Sequence, residues 1–303
     1  MTAAGRGWRR PGAAALAMIA LSAIAACGED QGDKPMPAAD APMAPTAVTM
    51  RASAQGKALA LKAPSTVPAG PVRLSLQNSD KRPREAALVR VAGDQTVEQV
   101  LEFREAEDGR PFPKWFELAG GVATVAPGQT ASVIQTLAPG TYYAIDALKD
   151  GPPDNPKIPS HARLGATARF VVTGPERSRE LPSTPAAITA REYDFKITAL
   201  KAGPNRVRFQ NAGKEPHHAI LFPVLTGKTF ADAKRFLAAE RSSGPPPLDF
   251  ERATGTTSLE GGGEQITELN LRAGTYAVVC FLTDRRGGKD HIAQGQIAEA
   301  IVR

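Results

Sequence analysis

The chain is organised around a stretch near its C-terminus, Gly274-Thr-Tyr-Ala-Val-Val-Cys280-Phe-Leu-Thr-Asp-Arg-Arg-Gly-Gly-Lys-Asp-His291-Ile-Ala-Gln-Gly-Gln296. Cys280 is one of two cysteines and His291 one of four histidines in the 303 residues. A thiolate and an imidazole, with the weaker donor Gln296, are the ligand types of a blue-copper centre. Soft sulfur and borderline imidazole suit an ion that cycles between Cu(I) and Cu(II). The stretch therefore predicts a copper site that takes a second histidine from elsewhere in the fold.

A second motif, Asn211-Ala-Gly-Lys-Glu-Pro216-His217-His218, offers this histidine. On a strand, neighbouring side chains point to opposite faces, so only one of the two imidazoles reaches a metal. Together, the two motifs resemble those of cupredoxins, the plastocyanin-like blue-copper domains, in which Asn-x4-Pro-His is followed by Gly-x-Tyr, Cys and His-x4-Met. The resemblance covers residues 187–303 and selects His217, directly after Pro216.

The resemblance implies one type 1 copper with His217, Cys280 and His291 as equatorial ligands and Gln296 as the axial ligand. The eleven-position step from Cys280 to His291 is longer than in plastocyanin, but long loops occur at this place in copper nitrite reductases. Glutamine stands where methionine is usual, as in stellacyanin-like members, and all five methionines lie at or before residue 50. The alternatives are a buried structural thiol at Cys280 and a solvent-facing Gln296.

The N-terminus has the pattern of a secretory signal peptide over residues 1–26. Arginines precede the apolar run 13–26, which is short for a bilayer span and ends in small residues. Its end, Ile24-Ala-Ala-Cys27, resembles a bacterial lipobox, which implies a lipid anchor at Cys27; a short uncleaved anchor is the alternative. The Pro- and Ala-rich residues 27–45 predict a tether. These features predict that the protein is located in the cell envelope, on the periplasmic or cell-surface face of a membrane.

Composition narrows the function further. With Cys27 lipidated, Cys280 is an unpaired thiol in an oxidising compartment, where it is a liability unless it has a chemical role. Without Arg6, Arg9 and Arg10 of the signal peptide the net charge falls from +6 to +3, and no basic run with interleaved aromatics remains, so nucleic-acid binding is not expected. Four histidines are too few for a multicopper enzyme, and hydrolase or phosphate-loop motifs are missing. Neither enzymatic activity nor a small-molecule substrate is expected.

The chain repeats itself weakly at an offset of about 133 residues. The aligned segments are Asn78…Pro83-Arg84 with Asn211…Pro216-His217, Gly140-Thr-Tyr…Asp146 with Gly274-Thr-Tyr…Cys280, and His161…Ala166 with His291…Gln296. The first copy thus lacks the ligands, and we expect a degenerate domain without copper. A buried charge there needs a partner, so the side chains of Arg84 and Asp146 are predicted to meet, with His161 nearby.

Short apolar-polar alternations separated by turn signals indicate an all-β chain. With the resemblance, they predict two tandem cupredoxin-like Greek-key β-sandwiches at 46–173 and 187–303. Each has one short inserted helix, capped by Thr96 in the first and by Thr229 in the second. Residues 174–186 have the composition of an exposed, Pro-stiffened linker.

The sequence therefore favours a one-electron carrier of the cell envelope. Its ligand loop carries Asp284, Arg285, Arg286, Lys289 and Asp290, and is either a solvated surface or a docking rim for a redox partner protein. The alternative function is a copper-free binding or structural module that keeps the sandwich without the metal.

Overall fold

The computed structural model describes residues 44–106, 109–151, 155, 157–176, 180–239 and 244–303. The predicted signal peptide, Cys27 and most of the tether lie outside these residues. Residues 44–303 belong to one compact unit.

Strands dominate both halves of this unit. The first half contains β1 (Thr46–Gln55), β2 (Ala58–Lys62), β3 (Thr66–Pro68), β4 (Gly70–Asn78), β5 (Arg84–Val91), helix α1 (Val97–Glu105), β6 (Phe116–Val125), β7 (Thr130–Leu137), β8 (Gly140–Ile145) and β9 (Thr167–Thr173). The second half contains β10 (Ala186–Arg191), β11 (Asp194–Thr198), β12 (Gly203–Asn211), β13 (Ile220–Pro223), helix α2 (Phe230–Ala238), β14 (Thr254–Gly255), β15 (Glu264–Leu271), β16 (Gly274–Val279) and β17 (Ile297–Val302). The predicted all-β fold class, with one short α-helix in each half, is confirmed over the described residues.

The strands form three sheets, one of which runs through both halves. This eight-stranded sheet has the order β11-β10-β12-β15-β7-β4-β1-β2. The other two sheets have the orders β14-β13-β16-β17 and β3-β9-β8-β5-β6. Strand order is therefore the same in the two halves, because β2-β1-β4-β7 corresponds to β11-β10-β12-β15 and β9-β8-β5-β6 corresponds to β17-β16-β13-β14. Antiparallel pairing of β7 with β15, with Gln135 opposite Gln265, joins the halves.

Each half buries its core between two sheets. In β4, Val72, Leu74 and Leu76 are buried while Arg73 is exposed, as alternation predicts for a strand with one buried face. Leu74 packs with residues of the opposite sheet, including Tyr142. Burying a large apolar side chain of this kind contributes about 1.5–3 kcal/mol, and many such residues hold the layers together. The second half repeats the arrangement.

Both helices begin as the sequence predicts. Thr96 accepts a hydrogen bond from the Gln99 amide and donates its own backbone N–H to the Gln99 side chain. Thr229 and Asp232 make the same reciprocal capping box. Capping satisfies amide groups that have no partner in the first helical turn, so these nine-residue helices can form where they pack on a sheet.

Within the linker predicted for 174–186, the described residues 174–176 and most of 180–185 are exposed, but one apolar residue is not. Leu181 is buried and clusters with Ile134 of β7 and Ile266 of β15, the two strands that join the halves. Arg208 donates hydrogen bonds to the carbonyls of Leu181 and Pro182, which fixes this segment to the sheet. Composition predicts the exposure of the other described linker residues but not this one buried side chain, whose partners Ile134 and Ile266 lie far away in sequence. The domain boundaries themselves stay a prediction.

In the described part of the chain, no helix has the length and apolar character that a membrane span requires.

Candidate metal centre

His217 is placed by a short antiparallel bridge and by Asn211. The His217 N–H donates to the Leu259 carbonyl at 3.0 Å, and the Leu259 N–H donates back at 2.9 Å. The Asn211 side-chain amide donates to the carbonyls of Glu215 (2.7 Å) and Leu259 (2.9 Å), which closes the turn before Pro216. The asparagine of the motif therefore acts structurally, and it delivers the imidazole into the core.

Cys280, His291 and Gln296 come from the end of β16 and the loop that follows. The loop returns on itself through hydrogen bonds from His291 N to Leu282 O (2.7 Å) and from Gln296 N to His291 O (2.8 Å). A longer contact joins Cys280 N to Gln296 O at 3.4 Å. The long loop therefore brings the two ends of the predicted ligand set together.

Three donor atoms converge at this point. His217 Nδ1 lies 3.1 Å from His291 Nδ1, which lies 3.5 Å from Cys280 Sγ. One ligand atom from each of the three residues lies within 4.8 Å of the others, and all three side chains are buried. One sulfur and two imidazole nitrogens form the donor set that type 1 copper prefers. The residues present therefore fit this metal.

Asp284 fixes the tautomer of His291. Its Oδ1 lies 2.9 Å from His291 Nε2, so we assign the imidazole proton to Nε2 and leave the Nδ1 lone pair free for a metal. The Tyr193 hydroxyl donates to the Asp284 carboxylate at 2.9 Å, and the Tyr193 ring meets the His291 ring edge-on at 5.4 Å. Such carboxylate partners orient metal-bound histidines and raise their basicity.

The His217 imidazole is kept neutral. Burial and the neighbouring His291 lower its pKa to about 4, although Glu192 and the Gln296 side chain act in the opposite direction. Its Nε2 is buried and has no hydrogen-bond partner among the described residues. A neutral imidazole is the form that binds a metal, so this environment suits a ligand.

Burial raises the pKa of the Cys280 thiol to about 12, and the backbone N–H groups of His218 and Leu282 oppose this rise by hydrogen bonding to the sulfur. The thiol therefore keeps its proton in the metal-free protein. Metal binding through the sulfur would require loss of this proton, and the two backbone N–H groups would stabilise the resulting thiolate.

Gln296 presents its amide oxygen to the site interior. Its Nε2 donates to the carbonyls of Arg191 (2.9 Å) and Asp194 (3.3 Å), so the amide orientation is set by two acceptors that only the nitrogen can satisfy. Oε1 is buried without a hydrogen-bond partner in the described part of the chain, and the Gln296 side chain raises the pKa of His217. The alternative of a solvent-facing Gln296 is wrong, because the side chain is fully buried. Its axial role stays a prediction.

The ligand loop is held by the first half, a feature that the sequence did not reveal. Arg285 donates to the carbonyls of Pro113 (3.2 Å) and Phe116 (3.1 Å) and to Glu260 (2.6 Å). Its own carbonyl accepts from Phe112 N at 2.8 Å. The Arg285 and Asp284 side chains therefore turn inward, whereas Arg286, Lys289 and Asp290 are exposed. Only Arg286, Lys289 and Asp290 fit the expectation of a solvated loop. The charge pattern of the sequence alone does not show which of the loop side chains point towards the protein and which point towards solvent.

His218 follows the His217 bridge, before β13 begins, and does not join the three donors. It is half-buried, and its Nε2 accepts a hydrogen bond from the Phe281 N–H at 2.9 Å. It therefore supports the residue after Cys280 instead of joining the ligands.

No protein-family model and no curated protein matches the chain. Among solved structures, it is similar to dithionite-reduced auracyanin from Roseiflexus castenholzii, at 20% identity over 39% of this chain and 94% of that one, with a TM-score of 0.26. It is also similar to the copper nitrite reductase of Nitrosomonas europaea, at 15% identity over 85% of this chain and 94% of that one, with a TM-score of 0.25. At these low scores, conclusions about the site rest on its own geometry.

Proposed function

We propose that this chain is a cell-envelope lipoprotein that binds one type 1 copper in its second half and carries single electrons. The observation that carries the proposal is the convergence of His217 Nδ1, Cys280 Sγ and His291 Nδ1, all on buried side chains. Bound copper would supply a one-electron couple between Cu(I) and Cu(II).

The side chains around the donors support this role. Asp284 holds the proton of His291 on Nε2, and burial keeps His217 neutral and excludes water from the three donors. The anchoring of the ligand loop by Arg285 limits its movement, which favours a carrier whose site changes little between the two charge states. Gln296 Oε1 is the proposed axial donor.

A carrier is favoured over an enzyme by the small number of remaining histidines. Two of the four are the proposed ligands, His218 supports Phe281, and His161 lies in the first half. Oxygen or nitrite chemistry on several copper ions needs more imidazoles than these. The exposed Arg286, Lys289 and Asp290 next to the ligands offer a charged rim for a redox partner protein.

The proposed location in the cell envelope is inferred from the sequence of the N-terminus. Cys27 follows a secretory signal with a lipobox-like end, and it lies outside the described residues. Lipidation there would hold the folded part at the membrane, on its extracytoplasmic face.

Adding Cu(II) to the chain from residue 44 onward tests the metal assignment. We expect an intense visible band from cysteine-to-copper charge transfer, and its loss in Cys280→Ser. His161→Gln, which alters a buried histidine of the first half, should keep the band. A wild-type protein without the band would support the copper-free binding or structural module instead.

A further inference from the structure

Two cavities lie between the halves of the molecule, next to the Cys280 loop. One, of about 420 Å³, has Phe281 and Leu282 in its wall, and the other, of about 400 Å³, has His218 in its wall. Arg104, in the last turn of α1, lines both of them. Volumes of this size are typical of sites for small organic molecules.

The Arg104 guanidinium has no salt-bridge partner among the described residues, and its interaction with Glu85 acts only at longer range. Within the described part of the chain, its Nε is buried without a hydrogen-bond partner. Arg104 lies in the last turn of α1, where the helix dipole stabilises a positive charge. This stabilisation is small, and it provides no hydrogen-bond acceptor for the Arg104 Nε–H group. An unpartnered, half-buried cation favours an anion in the adjoining cavity.

Glu85, the acidic side chain in the wall of the smaller cavity, does not satisfy this cation. Its Oε1 accepts a hydrogen bond from the Ala147 N–H at 3.0 Å. Burial and the charge of Asp146 raise its pKa to about 7, although Arg104 lowers it. At a pH well below this value Glu85 is protonated, and Arg104 is then the charged side chain in the cavity wall.

A second donor faces the same cavity from the other half. Because His218 Nε2 accepts from the Phe281 N–H, we assign the imidazole proton to Nδ1. Its contact with Ser258 Oγ is long, at 3.5 Å. The His218 Nδ1–H group is therefore available to a stronger acceptor.

The remaining wall of the smaller cavity is largely apolar. Leu88, Val89 and Leu118 line it from the first half, and Ile220 lines it from the second. A ligand that matches this lining has one anionic end and a compact apolar body. A fully polar inorganic anion would leave these walls uncovered.

We propose that the cavity between the halves binds a small organic monocarboxylate, whose carboxylate contacts the Arg104 guanidinium and the His218 Nδ1–H. Its apolar body lies against the side chains of Val89, Leu118 and Ile220. The Phe281 N–H links this ligand to the residue after Cys280, so occupancy acts next to the candidate metal centre.

Calorimetric titration of the metal-free chain with benzoate tests the proposal, at a pH below the pKa of Glu85. We expect saturable binding that Arg104→Gln weakens about tenfold or more, because a charge-assisted hydrogen bond is lost. The matched control is Arg163→Gln, which removes a cation bound to Glu98 and Glu105 of the same helix. This variant should bind benzoate as the wild type does.

Neutral benzamide and inorganic sulfate complete the test. Benzamide should bind at least about tenfold more weakly than benzoate, since it lacks the charge. Sulfate that binds as tightly as benzoate would overturn the assignment to an organic carboxylate, and so would benzoate binding unaffected by Arg104→Gln. Because the titration uses metal-free protein, its result does not depend on whether the chain binds copper.

Discussion

Arg84 donates a hydrogen bond through Nε to Asp146 Oδ2, and both side chains are completely buried. In the repeat, Arg84 stands at the position of His217 and Asp146 at that of Cys280. Asp80 accepts a second hydrogen bond from the Arg84 guanidinium at 2.9 Å, and His161 Nδ1 lies 3.2 Å from Asp146 Oδ2. The predicted meeting of Arg84 and Asp146 beside His161 is confirmed. An ion-pair network thus occupies the counterpart of the metal centre.

The buried pair predicts an asymmetric response to mutation. Asp146→Ala should lower the free energy of unfolding by about 3–5 kcal/mol, because it leaves the Arg84 charge without its main partner. The double variant Arg84→Met, Asp146→Leu should lose less, since neither charge then stays buried alone. Urea unfolding of the three proteins measures the difference. An Asp146→Ala protein as stable as the wild type would contradict the structural role of the pair.

Glu85 predicts a pH dependence of stability. Burial and the Asp146 charge raise its pKa from 4.5 to about 7, so the folded state binds the proton more tightly than the unfolded state. Stability from this group is therefore fully present below pH 4.5 and is lost as the pH rises towards 7. Glu85→Gln should be more stable than wild type above pH 7, by at most about 3 kcal/mol, and should lose this advantage in acid. The exposed Glu102→Gln is the control, and an equal gain in both variants would rule out the explanation by burial.

Asp284 is predicted to position His291 for the metal. Asp284→Asn weakens the hydrogen bond to His291 Nε2 and should lower the affinity for copper by about 10–100-fold. Asp290→Asn, in the same loop but exposed, should change it little. Competition with a copper chelator measures both, and unchanged affinity in Asp284→Asn would show that the loop alone orients the imidazole.

Gln296 is predicted to set the reduction potential of the bound copper. An amide oxygen is a harder donor than a thioether and favours Cu(II), so Gln296→Met should raise the potential. The exposed Gln294→Met adds the same side chain two positions away and serves as the control in voltammetry. If Gln296→Met leaves the potential unchanged, Gln296 is not the axial ligand, even where copper is bound.

Cys27 predicts covalent lipid attachment. Radiolabelled fatty acid should enter the wild-type protein in cells and be absent from Cys27→Ala, because the thiol is the acceptor in a lipobox-like sequence. Stable anchoring needs more than one acyl chain. Cys27→Ala removes the residue that carries these chains, so the variant should also leave the membrane fraction. Cys280→Ser should keep the label, and label that persists in Cys27→Ala would disprove the anchor.

The sequence by itself determined the β-structure and the ligand candidates. Alternation in Val72, Leu74 and Leu76 is a local property, and so are the capping threonines of both helices. Cys280 and His291 stand out because cysteine and histidine are rare in this chain and few chemistries use both. The repeat aligns Arg84 and Asp146 with two of the ligand positions. Because a buried charge needs a partner, this alignment predicts that the two side chains meet.

Tertiary structure alone decided how the halves meet and which charges turn inward. The pairing of β7 with β15, the burial of Leu181 and the contacts of Arg285 with the first half join residues far apart in sequence. No local pattern specifies such contacts, because they depend on two surfaces packing together. For the same reason, neither the Asp284 contact with His291 nor the unpartnered Arg104 beside the cavity could be predicted from the loop and helix sequences.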